Sequence, residues 1–146
     1  MTTKGIRERY IKFFVDHGHK EIAPSPLVLE NDPTTLFAGS GMQQMLPYLK
    51  GEKHVLGTRL VDSQPVLRLQ DLEEVGDNRH DTFFEMLGNW SLGDYFKEEQ
   101  LPWIWEFFTK EIGLDPKRIH VTVFEGNDEV PKDMESFDIW KKIGVS

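Results

Sequence analysis

The chain contains no cysteine. Disulfides and thiolate metal sites are therefore excluded, and the absence fits a reducing compartment. No apolar run approaches the roughly 20 residues needed to cross a bilayer. The opening MTTKGIRERY is charged, and no apolar stretch of the kind found in a secretory leader follows it. Basic residues are in deficit: 17 Lys and Arg face 25 Asp and Glu, for a net charge of −8. Such a balance argues against a general nucleic-acid binder, whose affinity comes from cations laid on phosphates. Any anion site must be local. The common phosphate and nucleophile motifs are missing as well. FAGSGM has neither P-loop nor dinucleotide spacing, and there is no G-x-S-x-G. The histidines at 17, 19, 54, 80 and 120 are scattered, and no metal-ligand spacing or zinc site is visible among them. Repeats and low-complexity segments are also absent.

What is present is enough for one globular domain. Of 146 residues, 38% are hydrophobic, and ten Phe and four Trp supply core area. Ile6, Tyr10, Phe13 and Phe14 recur at helical spacing, which predicts an amphipathic helix from about Thr3 to His17, ended by Gly18. Pro24 and Pro26 make KEIAPSPLVLEND extended, and NDPTT is a turn. The stretch from Met42 contains a short helical piece before Pro47 and Gly51. Val61–Leu69 and Asp81–Trp90 read as two strands joined by the long acidic loop QDLEEVGDN. Connections of that length are usually functional or disordered. Lys97–Glu111 is expected to be a helix with Pro102 in its first turn, RIHVTVFE a strand by alternation, and Glu135–Ile143 a last helix. The order implies an α+β fold, an antiparallel sheet flanked by helices.

Three features carry chemistry, each with a plain structural alternative. Arg68, in PVLRL, is either a solvent-facing strand residue or an anion clamp with a planar fork of donors. Arg79 and His80 are either solvated loop charges or partners of Arg68 on one polyanion. Phe83 and Phe84 point to opposite sides of a strand. One ring suits the core. The other either sits in a sheet covered on both faces or stacks on a nucleobase.

NDPTTLFAGSGMQQM, DLEEVGDNRHDTFFEMLGNWSLGDYF and LPWIWEFFT together resemble the N-terminal part of the catalytic domain of alanyl-tRNA synthetase, a class II aminoacyl-tRNA synthetase. The similarity runs through nearly the whole chain, and HDTFFEMLGNWSLGDYF is its most specific string. By this resemblance residues 1–146 are the front portion of a class II catalytic core. The opening helix and HKEIAPSPLV correspond to motif 1, QPVLRLQDLEEVGDNRHDTFFEML to motif 2, and motif 3 is absent.

The resemblance implies roles. Arg68 contacts the ATP α-phosphate and the alanine carboxylate and is the catalytic arginine. Arg79 and His80 lie near the outer phosphates. Phe84 stacks on adenine, with Phe83 as the fallback, and Met86 follows on the same strand face. Met42 lines the alanine pocket. Two departures stand out. The motif 2 loop is short and lacks the lysine of the common bacterial form, and FAGSGM lacks the usual pocket Asn. The implied function is that of an alanine–tRNA ligase fragment supplying the motif 2 ATP-binding wall for activation of alanine by ATP, with Mg²⁺, to alanyl adenylate and transfer to the acceptor end of tRNA(Ala) in the longer protein. It is expected to be cytoplasmic, off the membrane, and inactive in aminoacylation alone. A sheet cut short is expected to self-associate through its open edge. The alternative is a non-catalytic synthetase-like paralogue that binds nucleotide or a protein partner.

Overall fold

The computed structural model describes residues 1–29, 35–69 and 72–145. The expected NDPTT turn lies largely outside them. The chain divides into two compact units, Met1–Leu92 and Gly93–Ser146.

The first unit begins with α1 (Thr3–Asp16), whose Thr2 side chain accepts the Gly5 N–H at 3.1 Å. The aromatic stripe is buried as its spacing predicts: Tyr10, Phe13 and Phe14 all lie inside. Gly18 (φ 85°) turns the chain out of the helix. The His19 N–H reaches back to the Phe14 carbonyl at 3.0 Å and the Gly18 N–H to that of Val15 at 2.9 Å, which satisfies the orphan carbonyls of the last turn.

Three strands follow: β1 (Lys20–Glu21), β2 (Arg59–Leu67) and β3 (Phe83–Ser91). β2 and β3 form the expected antiparallel pair, with Arg59 opposite Ser91 and Leu67 opposite Phe83. The sheet is mixed rather than purely antiparallel, because β1 runs parallel to β2. Pro24 and Pro26 lie just beyond β1, and proline cannot donate to a ladder. Before β2, residues Gln43–Met45 form a 3₁₀ turn that runs into α2 (Leu46–Leu49). That helix includes Pro47 in its first turn instead of stopping before it.

The period of two divides the β2–β3 pair into two faces. Asn89 and Glu85 meet α1 on one of them. Tyr10 donates its hydroxyl to Asn89 at 2.9 Å, and Arg7 Nε donates to Glu85 at 2.6 Å. Ser63 Oγ donates to the same carboxylate at 2.8 Å. The Arg7 hydrogen bond is the main cause that holds Glu85 below the usual carboxylate range. Leu60, Asp62, Gln64 and Val66 occupy the other face, all buried.

In the second unit, α3 (Lys97–Glu106) carries Pro102 in its second turn, not its first. The helix then widens into a π-turn over Phe107–Glu111, closed by the Ile112 N–H on the Phe107 carbonyl at 2.9 Å. Thr109 Oγ1 donates to the Trp105 carbonyl at 2.7 Å, a local bond that competes with the α-helical ladder. The helix α4 (Met134–Lys142) is capped by Asp133, which takes the Ser136 N–H at 3.0 Å and pairs with Lys97. RIHVTVFE is not a strand. Its alternation survives as burial, with Ile119, Val121 and Val123 half-buried and their neighbours exposed. The segment has no partner strand among the described residues, and a strand is defined by its ladder.

Gly18→Ala forces a side chain into the left-handed region and should cost about 1–2 kcal/mol, read as a lower midpoint in urea unfolding. The Ser136 N–H and hydroxyl, with Lys97, depress the Asp133 pKa from 3.8 to about 2. A depressed carboxyl stabilises the fold above its unfolded pKa and loses that contribution as pH falls through its folded one. The α4 cap should therefore weaken between about pH 4 and pH 2, and Asp133→Asn should flatten the acid limb of a stability–pH curve over that interval.

Candidate active-site face

The register brings several expected site residues onto one side of the sheet. Phe84 stands opposite Val66 and Met86 opposite Gln64. Arg68 lies one residue past β2, not in its centre, but its N–H still bonds the Thr82 carbonyl at 2.8 Å and so extends the ladder. The count of two therefore puts Arg68 on the face of Phe84. Its guanidinium carbon is 5.6 Å from the centroid of the Phe84 ring, within cation–π range. Arg68 Nε donates to the Gly39 carbonyl at 2.9 Å, which holds the fork in place. Among the described residues no carboxylate forms a salt bridge with Arg68, so the guanidinium keeps its charge for another anion.

Phe83 takes the opposite side and is 59% exposed. The expectation that one ring of the pair enters the core is not met: Phe84 is half-buried and Phe83 largely outside. Leu67, the cross-strand neighbour of Phe83, is itself only half-buried, so this end of the back face has little to pack on.

The segment before the first 3₁₀ turn closes over Met86. The Gly41 N–H points at Met86 Sδ, 3.4 Å away. Met42 follows at once, 48% exposed, with its N–H on Ser40 Oγ at 3.2 Å. Gln43 Oε1 accepts the N–H groups of Gly39 and Ser40 at 2.7 and 3.1 Å, which fixes the turn. Met42, Met86, Phe84 and Arg68 thus belong to one neighbourhood.

Arg79 and His80 belong to a loop organised around its own acids. Asp77 accepts the N–H groups of Arg79 and His80, each at 2.8 Å, and these bonds pull its carboxyl below the ordinary value. The His80 ring sits between Asp77 at Nδ1 and Glu74 at Nε2, both at 2.8 Å. Arg79 is exposed. For the His80 ring to meet an outer phosphate it must exchange these two carboxylates, whereas Arg79 is held only through its backbone N–H. Among the described residues no group of three or more His, Asp or Glu is arranged to hold a metal ion. None of the described helices is long and apolar enough to cross a membrane.

Sequence reasoning missed the polar floor of this face. Asp62, Gln64, Gln44 and Trp90 form one hydrogen-bonded cluster there. Gln64 Oε1 accepts from Gln44 at 3.0 Å and from the Ser25 N–H at 2.8 Å, and its amide donates to the Ser25 carbonyl at 3.0 Å. The available signal was Gly88, a lone glycine inside a strand, which marks a close approach.

The chain matches the family described as tRNA synthetases class II (A) over residues 5–146. It is 51% identical to the alanine–tRNA ligase of Treponema denticola over 148 residues, a match covering 100% of this chain and 25% of that protein. Against the alanine–tRNA ligase of Treponema pallidum identity is 51%, over 97% of this chain and 24% of the relative. The corresponding enzyme of Rubrobacter xylanophilus is 45% identical over 99% of this chain and 16% of its own length. The chain thus spans a quarter or less of these relatives. It belongs to the class II tRNA synthetase family, with alanine–tRNA ligases among its relatives.

Proposed function

We propose that this chain supplies the ATP-binding wall of an alanine–tRNA ligase. The single observation that carries the reading is the Arg68–Phe84 juxtaposition: an anchored guanidinium and an aromatic ring on one sheet face, the guanidinium carbon 5.6 Å from the ring centroid. The family match and the alanine–tRNA ligase relatives support it.

The chemistry suits these residue types. The alanine carboxylate attacks the α-phosphorus of ATP, and pyrophosphate leaves. Two anions must be brought together, and a guanidinium donating to both lowers their repulsion and orients the attack. Arg68 does this, with Nε held by Gly39 and its terminal nitrogens directed to the reactants. Phe84 stacks on adenine, with Met86 beside it on the same strand face, and Met42 provides apolar surface beside the methyl of alanine. Arg79 and His80 serve the outer phosphates, His80 once its ring gives up Glu74 and Asp77. Mg²⁺, when bound with ATP, neutralises triphosphate charge. The alanyl group then passes to the acceptor end of tRNA(Ala), a step that draws on the longer protein, which acts in the cytoplasm.

ATP should raise the thermal midpoint of the chain, and Arg68→Ala should abolish the rise. In the full reading frame containing these residues, the same substitution should cut alanine-dependent ATP–pyrophosphate exchange about 10²–10³-fold. An undiminished exchange rate would remove Arg68 from the mechanism. The two phenylalanines separate cleanly. Phe84→Ala should weaken ATP by about 1–3 kcal/mol, the worth of a base stack. Phe83→Ala, on the far side of the sheet, should leave ATP affinity within about twofold by the same scale.

A further inference from the structure

The face that carries Arg68 and Phe84 continues to a carboxylate that the reaction above does not use. Asp62 lies mid-strand in β2 opposite Gly88 and is fully buried. Trp90 Nε1 donates to its Oδ1 at 3.0 Å and Gln44 Nε2 to its Oδ2 at 2.6 Å. No cation pairs with it among the described residues. Burial pushes its pKa up, and the two hydrogen bonds oppose that shift. A buried acid that gains only two neutral donors is a costly way to fill a strand position.

Its geometry shows what it holds. The Trp90 ring reaches Asp62 by lying across Gly88. A Cβ at residue 88 would come within 2.7 Å of Asp62 Oδ1 and 2.9 Å of Trp90 Cζ2. The same ring atom also meets Gly41, where a Cβ would lie 3.8 Å from Trp90 Cζ2 and 3.6 Å from Met86 Cβ. The indole is therefore a shelf with Gly88 and Gly41 against one edge, and Asp62 sets its angle. Through its second oxygen Asp62 also fixes Gln44, two residues beyond Met42. The Gln44 Oε1 in turn accepts from Ser25 Oγ at 2.7 Å.

We propose that Asp62 is a positioning residue for the amino-acid pocket. Through Trp90 and Gln44 it sets the height of the Gly39–Met42 segment above Met86, and hence the room left for the substrate side chain. The inference rests on the alanine–tRNA ligase reading given above. Asp62 itself touches no reactant.

The test is amino-acid-dependent ATP–pyrophosphate exchange by the full reading frame that contains this chain. Alanine is compared with glycine and 2-aminobutyrate, which differ from it by one carbon in either direction. Asp62→Asn should raise KM for alanine about tenfold with KM for ATP within about twofold, and should narrow the preference over 2-aminobutyrate. The double variant Asp62→Leu with Trp90→Phe removes the Asp62 acceptor and its Trp90 donor together and leaves no buried charge, while Gln44 Nε2 still donates to Gln64 Oε1 at 3.0 Å, so it guards against simple unfolding. It should keep the wild-type circular dichroism and still show the raised alanine KM. Equal movement of both KM values, unchanged values in an active enzyme, or loss of fold in both variants would each overturn the proposal. A wild-type frame without alanine-dependent exchange would instead overturn the functional reading beneath it.

Discussion

Register is the constraint on which the rest depends. In the antiparallel pair of β2 and β3, Val66 faces Phe84, Gln64 faces Met86 and Asp62 faces Gly88. Because side chains alternate, a slip of one residue would carry all of them to the opposite side of the sheet. Arg68 would then part from the ring it lies over, and the Asp62 carboxylate would lose Trp90. Many interactions hold this alignment from behind, chief among them Arg7 and Ser63 on Glu85 and Tyr10 on Asn89. Each grips a β3 residue of odd number, so the even-numbered ones are aimed the other way.

The two faces are stabilised by different physics. The α1 side is largely aromatic, with Tyr10 and Phe14 rings 4.8 Å apart and Phe13 set edge-on to Phe14. The opposite side buries polar groups, and every one of them needs a partner. Among the described residues no buried side-chain polar atom lacks a hydrogen bond. Such a network specifies distances more tightly than apolar packing does, since each bond tolerates only a narrow range of separation.

Much of this was legible in the sequence. The spacing of Tyr10, Phe13 and Phe14 marked α1, and Gly18 marked its end. The long connection between two strand-like segments marked the β2–β3 pair, and adjacency of Phe83 and Phe84 showed that their rings lie on opposite sides of the sheet. Other parts were hidden for physical reasons. RIHVTVFE alternates as a strand should, but alternation records which side is buried and says nothing of whether a neighbour is there to bond. Asp62 was hidden because a lone acid in an alternating run reads as a surface residue until its donors are known. Those donors, Gln44 and Trp90, are far from it in sequence and are brought in only by the fold. His80 looked like a ligand for phosphate; that it lies between Glu74 and Asp77 depends on how the loop curls.

The Arg7–Glu85 pair ties the start of the chain to the third strand. Glu85 lies between Phe84 and Met86, so the first helix reaches, through one ion pair, the backbone of the two residues that share a sheet face with Arg68. The opening turns of the polypeptide are thus an outrigger for a strand laid down 78 positions later. The same helix is also tied to β2, where the Arg59 guanidinium donates to the His17 carbonyl at 3.3 Å, so it braces both strands of the pair.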